Sequence, residues 1–437
     1  MKTLEPDARL TPALAPRQAA LTQPQGTPRV LTAADSTADA AMARYQHLSR
    51  AIAGRPLPLA LLDVDLLEHN ARDLLQRAGN LPIRLGSKSI RCVEVLRRVQ
   101  AMSPRFQGLL CYSAREAAWL ATLGFDDLLV AYPTVDTADL DAVAAQLQQG
   151  RRIVLTVDDA AQVGHIASRG RALGVRFLLS IDVDMSSSFP GIYFGMRRSP
   201  LQTPQAVVAL ARTIALTPGA VGLVGLMGYE GQIAGLQDAV PGQSLKNMML
   251  RRLKQSSVRE LAARRQACVA ALRDAGFVLD FVNGGGTGSI ESTAADSSVT
   301  EIAAGSGLYA PGLFDHFSQF HNAPALCFAL QVVRRPTPDI ATCGGGGYIA
   351  SGPAGADRLP RPYLPAGMQL IAQEGAGEVQ TPVRLPAGFD VEIGAPLFFR
   401  HAKAGELAER FERLHLLQGG EIVGDAPTYR GQHQCFL

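Results

Sequence analysis

Eight short apolar runs, each closed by turn residues and most followed by a helical pattern, constrain this chain more than any other feature. They are "IRLGSKS" (83–89), "GLLCYS" (108–113), "DLLVAYP" (127–133), "RIVLTVD" (152–158), "RFLLSIDVD" (176–184), "VGLVGLMGY" (221–229), "VLDFVNGGG" (278–286) and "TEIAAGS" (300–306). Continuous rather than alternating apolar runs are what strands buried on both faces require. Segments such as "SAREAAWLATLG" carry helical apolar spacing between them. Strand and helix in strict alternation give a parallel sheet, and eight units predict an α/β fold, a (β/α)8 TIM barrel over residues 81–320. An open doubly wound sheet satisfies the same periodicity. One strand, "PLALLDVD", precedes the eight with its own helix within 46–80, and is left over to pair with segments beyond the barrel. From 321 to 437 the texture changes to short β segments such as "APALCFALQVVRR" and "DVEIGAPLFFR" separated by Gly and Pro, a smaller C-terminal β domain. Residues 1–45, rich in Ala, Thr, Gln and Pro without a period, read as a disordered or loosely attached arm.

Charge and cysteine usage narrow the class of ligand. Forty-two basic against 39 acidic side chains leave a formal charge of only +3 with no dense basic block, so neither a nucleic acid nor a membrane surface is expected as partner. Small molecules are the expected ligands. The six cysteines are scattered without a CxxC pair, which fits reduced thiols in a cytoplasm. No apolar signal core follows the first charges, and the uncharged run Thr213 to Tyr229 is broken by Pro218 and glycines.

Chemistry concentrates where barrel strands end. Lys88, in "RLGSKSIR", ends the first of the eight strands, on the face where barrels place their functional groups. There it is either a snorkelling surface charge or an amine able to form a Schiff base with a carbonyl. "VNGGGTGSIE" follows the seventh strand and "AAGSGLYAPG" contains the loop after the eighth. Each is either a tight turn or a loop whose backbone N–H groups and hydroxyls cradle a phosphate. Around a closed ring these loops lie beside the lysine. Pyridoxal 5'-phosphate supplies both an aldehyde for the amine and a phosphate for the cradle.

These motifs, together with "PLALLDVDLLEHNARDL", "YEGQ", "EIAAGSGLY" and "RHAKAGELAERF", resemble the fold-type III pyridoxal phosphate enzymes. The resemblance is to the D-threonine aldolase and D-serine dehydratase-like branch of the alanine racemase superfamily, over roughly 55–437. It implies a homodimer with sites between one barrel and the partner's β domain. It makes Lys88 the Schiff-base lysine. It also implies that Gly286, Thr287, Gly288, Gly305 and Ser306 contact the phosphate, with Tyr229, Gln232, Asn283 and Tyr309 near cofactor or substrate.

Two departures limit what is inherited. Relatives hold a divalent metal with a late His-x-Cys or His-x-Asp pair, but "FRHAKAGE" offers His401, Ala402 and Lys403, and an ammonium cannot ligate. The upstream acidic and His ligands correspond to the degraded "AQEGAGE", so no metal is expected. Lys403 then either supplies the missing positive charge or pairs with Glu406. His401 is either the base on the substrate's hydroxyl side or a structural histidine. Racemase and decarboxylase relatives carry Arg or Glu where Ala303 stands, which disfavours racemisation. Asp182 and Asp184 either face the site or cap a loop. The expected activity is a lyase acting on a β-hydroxy-D-amino acid, by retro-aldol cleavage or, alternatively, by dehydration to a 2-oxo acid and ammonia. Lys88, His401 and Lys403 are its expected catalytic residues. A racemase using a β-domain tyrosine (Tyr348, Tyr363 or Tyr429) and a non-catalytic cofactor carrier stand as further alternatives.

Overall fold

Helix α1 (Ala38–Ala51) and strand β1 (Leu59–Asp63) open the part of the chain that the computed structural model describes, residues 38–189 and 191–437. α1 begins inside the segment expected to be a loose arm. It is docked by Tyr45, whose ring stands edge-on to Phe389 and Phe398 at 5.3 and 6.1 Å between centroids. The rest of that expected arm, residues 1–37, lies outside the described residues. β1 is buried at every position and leads directly into α2 (Val64–Arg77), whose first turn is capped by Asp63 accepting from the Leu66 N–H at 3.0 Å.

The barrel comes next. Its elements are β2 (Ile83–Gly86), α3 (Val93–Met102), β3 (Phe106–Cys111), α4 (Ala114–Thr122), β4 (Leu128–Val130), α5 (Thr137–Gln148), β5 (Ile153–Val157), α6 (Ala160–Leu173) and β6 (Phe177–Asp182). A hairpin, β7 (Ser187–Phe189) with β8 (Ile192–Phe194), interrupts the alternation before α7 (Pro204–Ala215) and is not among the strands expected above. The ring is completed by β9 (Val221–Gly228), the short α8 (Gly231–Ala234), the 31-residue α9 (Ser244–Asp274), β10 (Phe281–Gly284), α10 (Ile290–Ala294), β11 (Glu301–Ala304) and α11 (Ser306–Tyr309). Strands pair in parallel in the order β10-β11-β2-β3-β4-β5-β6-β9 and close on themselves. Closure runs through Ile302 opposite Ile83, Ala303 opposite Arg84 and Ala304 opposite Leu85. That ring excludes the open sheet.

The remaining strands are β12 (Leu326–Thr337), β13 (Ile340–Gly344), β14 (Arg361–Leu364), β15 (Gln369–Leu370), β16 (Gln380–Arg384), β17 (Pro396–Arg400), β18 (Arg413–Gln418) and β19 (Glu421–Pro427). They form one sheet with β1 inserted, antiparallel to β12 and parallel to β18. β1 therefore ties the start of the described chain to its end.

A charged layer is sealed inside the barrel on β2 and β11. Arg84 donates to both oxygens of Glu301 at 2.7 and 2.9 Å and to Asp127 at 3.0 Å. Asn283 donates to the same Glu301 at 2.8 Å. Arg84 and Glu301 side chains are only 3% and 4% exposed, so removing one partner strands a buried charge. Arg84→Met is expected to cost about 3–5 kcal/mol. The double variant Arg84→Met/Glu301→Leu should recover most of it, both read from urea unfolding midpoints; equal destabilisation of the two would contradict a charge-pair origin.

Candidate active site

Lys88 sits where β2 runs out, in a single 3-10 turn, Ser87–Ser89, that swings its side chain over the barrel mouth. The turn is pinned from both sides. Ser87 donates to the Leu110 carbonyl at 3.1 Å, and the Ser89 and Ser306 hydroxyls meet at 2.9 Å. Lys88 Nζ projects into a cavity of about 210 Å³ at the carboxyl ends of the strands, where it donates to the Tyr132 hydroxyl at 3.0 Å. Arg198 lies beyond, its guanidinium 5.3 Å from the Tyr132 ring and 5.4 Å from the Tyr229 ring.

Beside this turn, where β11 pairs with β2, the two glycine-bearing loops form the adjoining wall through Gly286, Thr287, Gly305 and Ser306. Their shape depends on missing side chains. A Cβ on Gly305 would stand 2.7 Å from the Gly86 carbonyl oxygen, and one on Gly286 would stand 2.9 Å from Ala234 Cβ. The Gly307 N–H donates to Thr287 Oγ1 at 3.0 Å, joining the two loops. Behind them Glu230, from "YEGQ", accepts the Gly285 N–H at 2.8 Å and the Thr293 hydroxyl at 3.1 Å. Its charge is balanced by Arg265 of α9, which also donates to Asp296 at 2.7 Å.

The expected site residues divide. Lys88, Tyr229, Asn283, Gly286, Thr287, Gly305 and Ser306 line this cavity, as do Asp182, Asp184 and Ala303. Gln232 stands behind it, donating to the Met185 carbonyl at 2.5 Å and to Ser257 at 3.1 Å. Gly288 packs against the Ala234 carbonyl, and the buried Tyr309 donates to the Ile90 carbonyl at 3.0 Å. His401 and Lys403 line a second cavity of about 430 Å³ with Arg91 and Tyr348. His401 is 2% exposed, and burial, then the Arg400 charge, pulls its imidazole down to about 3. Neither ring nitrogen has a hydrogen-bond partner among the described residues. Such an imidazole cannot hold a proton near neutrality, which argues against the role of hydroxyl-side base. Lys403 Nζ donates to the Ser351 carbonyl at 2.8 Å, and the Ser351 N–H donates in turn to Glu406 at 2.9 Å, so lysine and glutamate meet through Ser351 and not directly. Tyr429 donates to Glu116 at 2.9 Å in the interior, and neither it, Tyr348 nor Tyr363 borders the Lys88 cavity. Asp184 caps the start of the hairpin, accepting from the Ser186 N–H at 2.9 Å. Among the described residues no three His, Cys, Asp or Glu side chains converge as a metal site would need.

Tyr132, Arg198, Glu230 and Arg265 are the residues that the sequence analysis missed. "AYP" at the end of the third run carried a signal for Tyr132, by the rule that singled out Lys88.

No family model matches the sequence. A D-threonine aldolase from Arthrobacter sp is 28% identical over 297 residues, covering 66% of this chain and 71% of the relative. A 3-hydroxy-D-aspartate aldolase from Paracoccus denitrificans (strain Pd 1222) is 24% identical over 251 residues, 57% of this chain and 59% of the relative. The solved D-threonine aldolase from Filomicrobium marinum superposes with a TM-score of 0.73 at 19% identity, covering 86% of this chain and 95% of that one. The chain is related to the D-threonine aldolases and has the alanine-racemase-like fold. By name its homologues are lyases, and the chain is placed among them as an enzyme. No helix among the described residues is long and apolar enough to cross a membrane.

The fold family implies pyridoxal phosphate, and the cavity fits it. A primary amine opens onto it, and beside that amine lies a cradle of hydroxyls and glycines packed too closely for a Cβ. Gly305→Ala is expected to cost about 1–3 kcal/mol through overpacking and to weaken cofactor capture, measured by thermal unfolding and by cofactor titration. Capture as tight as in the unmodified protein would show that the close approach to Gly86 is dispensable.

The Asp182 carboxyl borders the cavity, and burial, with Asp158 adding to it, raises it to about 8. A carboxyl raised on folding holds its proton when the unfolded chain has lost it, so its contribution to stability is full below about 4 and is lost as pH rises to about 8. With no cofactor added, Asp182→Asn should flatten the fall in unfolding midpoint between those limits; an unchanged slope would contradict the assignment.

Proposed function

We propose that this chain is a pyridoxal phosphate-dependent lyase that cleaves β-hydroxy-D-amino acids to an aldehyde and glycine, working as a cytoplasmic homodimer. The observation that carries the reading is the Lys88 amine opening onto a cavity whose adjoining wall is the Gly286–Thr287 and Gly305–Ser306 cradle. The relationship to proteins named aldolases supports cleavage as the reaction. When bound, the cofactor supplies an electron sink for the bond broken at the amino acid's Cα. Everything else falls to the chain. Lys88 would hold the cofactor's carbonyl carbon and then, once displaced, carry a proton for Cα. Gly286, Thr287, Gly305 and Ser306 would hold the phosphate through backbone N–H groups and hydroxyls, and Arg198 adds a fixed positive charge beside Tyr132 and Tyr229. Tyr229, whose phenol burial pushes up to about 12, stays a neutral donor beside them. Lys403 would act on the substrate only from the second cavity, as a cation in place of a metal.

Two measurements test the reading. Borohydride treatment of protein supplemented with pyridoxal phosphate is expected to fix the cofactor on Lys88 and on no other residue, and Lys88→Ala should abolish fixation. A panel of D- and L-β-hydroxy-amino acids should then give aldehyde and glycine from D isomers alone. A 2-oxo acid with ammonia would instead establish a dehydratase, and fixation without turnover a carrier.

A further inference from the structure

One phenol touches the amine on which the proposed function rests. We propose that Tyr132 is a catalytic acid–base residue of this site: its hydroxyl takes the proton of the substrate's β-hydroxyl and exchanges protons with the Lys88 amine. The inference deepens the reading above and rests on it.

Geometry selects Tyr132 over the other candidates. Its hydroxyl, 3.0 Å away, is the one hydrogen-bond partner of Lys88 Nζ among the described residues. It borders the cavity, whereas His401 borders the other one. Tyr229 shares the cavity, but its phenol is too weak an acid to serve as a base, and no hydrogen bond joins it to Lys88 among the described residues. The charged and titratable groups facing Tyr132 are Lys88 from the turn after β2, Arg198 from the segment after β8 and Tyr229 from the end of β9. Asp182, which the Asp158 and Asp184 charges also reach, feels the same Arg198 charge. Burial alone would raise the Tyr132 phenol, yet the Lys88 and Arg198 charges outweigh it and hold the phenol below its usual value. A phenol so placed gives up its proton more readily than a free tyrosine does.

The proton movements balance. Tyr132, as phenolate, takes the β-hydroxyl proton, and the electron pair freed on that oxygen becomes the aldehyde C=O. The Cα–Cβ bond breaks and its pair remains at Cα, where the bound cofactor accepts it. The Lys88 ammonium protonates Cα, the neutral phenol returns its proton to the Lys88 amine, and Lys88 would then retake the cofactor's carbonyl carbon from glycine's nitrogen, which departs with the protons Lys88 gives up. Both side chains end as they began.

The test uses Tyr132→Phe, which keeps the ring, and Lys88→Met. With no cofactor added, ultraviolet difference titration should show one phenol ionising below the ordinary value of about 10. Its signal should be lost in Tyr132→Phe and moved to higher pH in Lys88→Met. With cofactor, Tyr132→Phe should be fixed by borohydride at Lys88 as fully as the unmodified protein. Its kcat should fall about 10²- to 10⁴-fold and lose the ionisation that limits it on the acid side, with KM little changed. A kcat within about threefold of the unmodified enzyme, with the same pH profile, overturns the proposal, and so does a titration that Tyr132→Phe leaves unaltered. Failure of the unmodified protein to capture the cofactor would instead bring down the proposed function, so the two failures are read in different arms.

Discussion

A buried ion cluster holds the cradle in shape. Glu230, Arg265 and Asp296 are each no more than 4% exposed at the side chain, and Arg265 stands between the two acids. Charges so deep persist only when paired. Glu230 uses its remaining capacity on the Gly285 N–H and the Thr293 hydroxyl. That fixes a loop whose three consecutive glycines would otherwise leave it wide conformational freedom. The cradle's rigidity is thus supplied from outside the cradle, by α9.

Ring closure does the rest of the positioning. β11 pairs with β2, so the loop after the last barrel strand and the turn after the first lie side by side, and the Ser89–Ser306 contact joins them. In an open sheet those two strand ends would be at opposite edges. A lysine and a phosphate cradle separated by about two hundred residues of sequence meet only because the sheet closes. The same closure buries Arg84 between β2, β11 and the strand neighbours, which explains why a charged pair occupies the seam.

Range along the chain decides which features are readable from the residues alone. All eight barrel strands were legible because burial on both faces writes itself into a local apolar run, and Lys88 and the glycine loops because each ends such a run. Arg265 was not, because its meaning lies in Glu230, 35 positions earlier, and Asp296, 31 positions later. Arg198 was hidden by the β7–β8 hairpin, which carries it away from the end of β6 in sequence while leaving it over the cavity in space. For His401 the motif was visible but its surroundings were not: a sealed imidazole facing the second cavity differs in chemistry from the exposed base that the residue type suggests.

Two carboxyls, Asp182 and Asp184, border the Lys88 cavity, and burial acts on the first. Lys88 and Arg198 give the cavity two cations, and Asp182 would cancel one of them if it were ionised. Held at about 8, Asp182 keeps its proton near neutrality and so does not cancel either cation. Cations that no neighbouring charge cancels draw anions, which suits a phosphorylated cofactor and an amino acid's carboxylate alike. The same cations lower the Tyr132 phenol. Ionising Asp182 would therefore weaken both anion capture and the acidity of the phenol beside Lys88, so burial of a single carboxyl couples ligand attraction to the proton chemistry of the site.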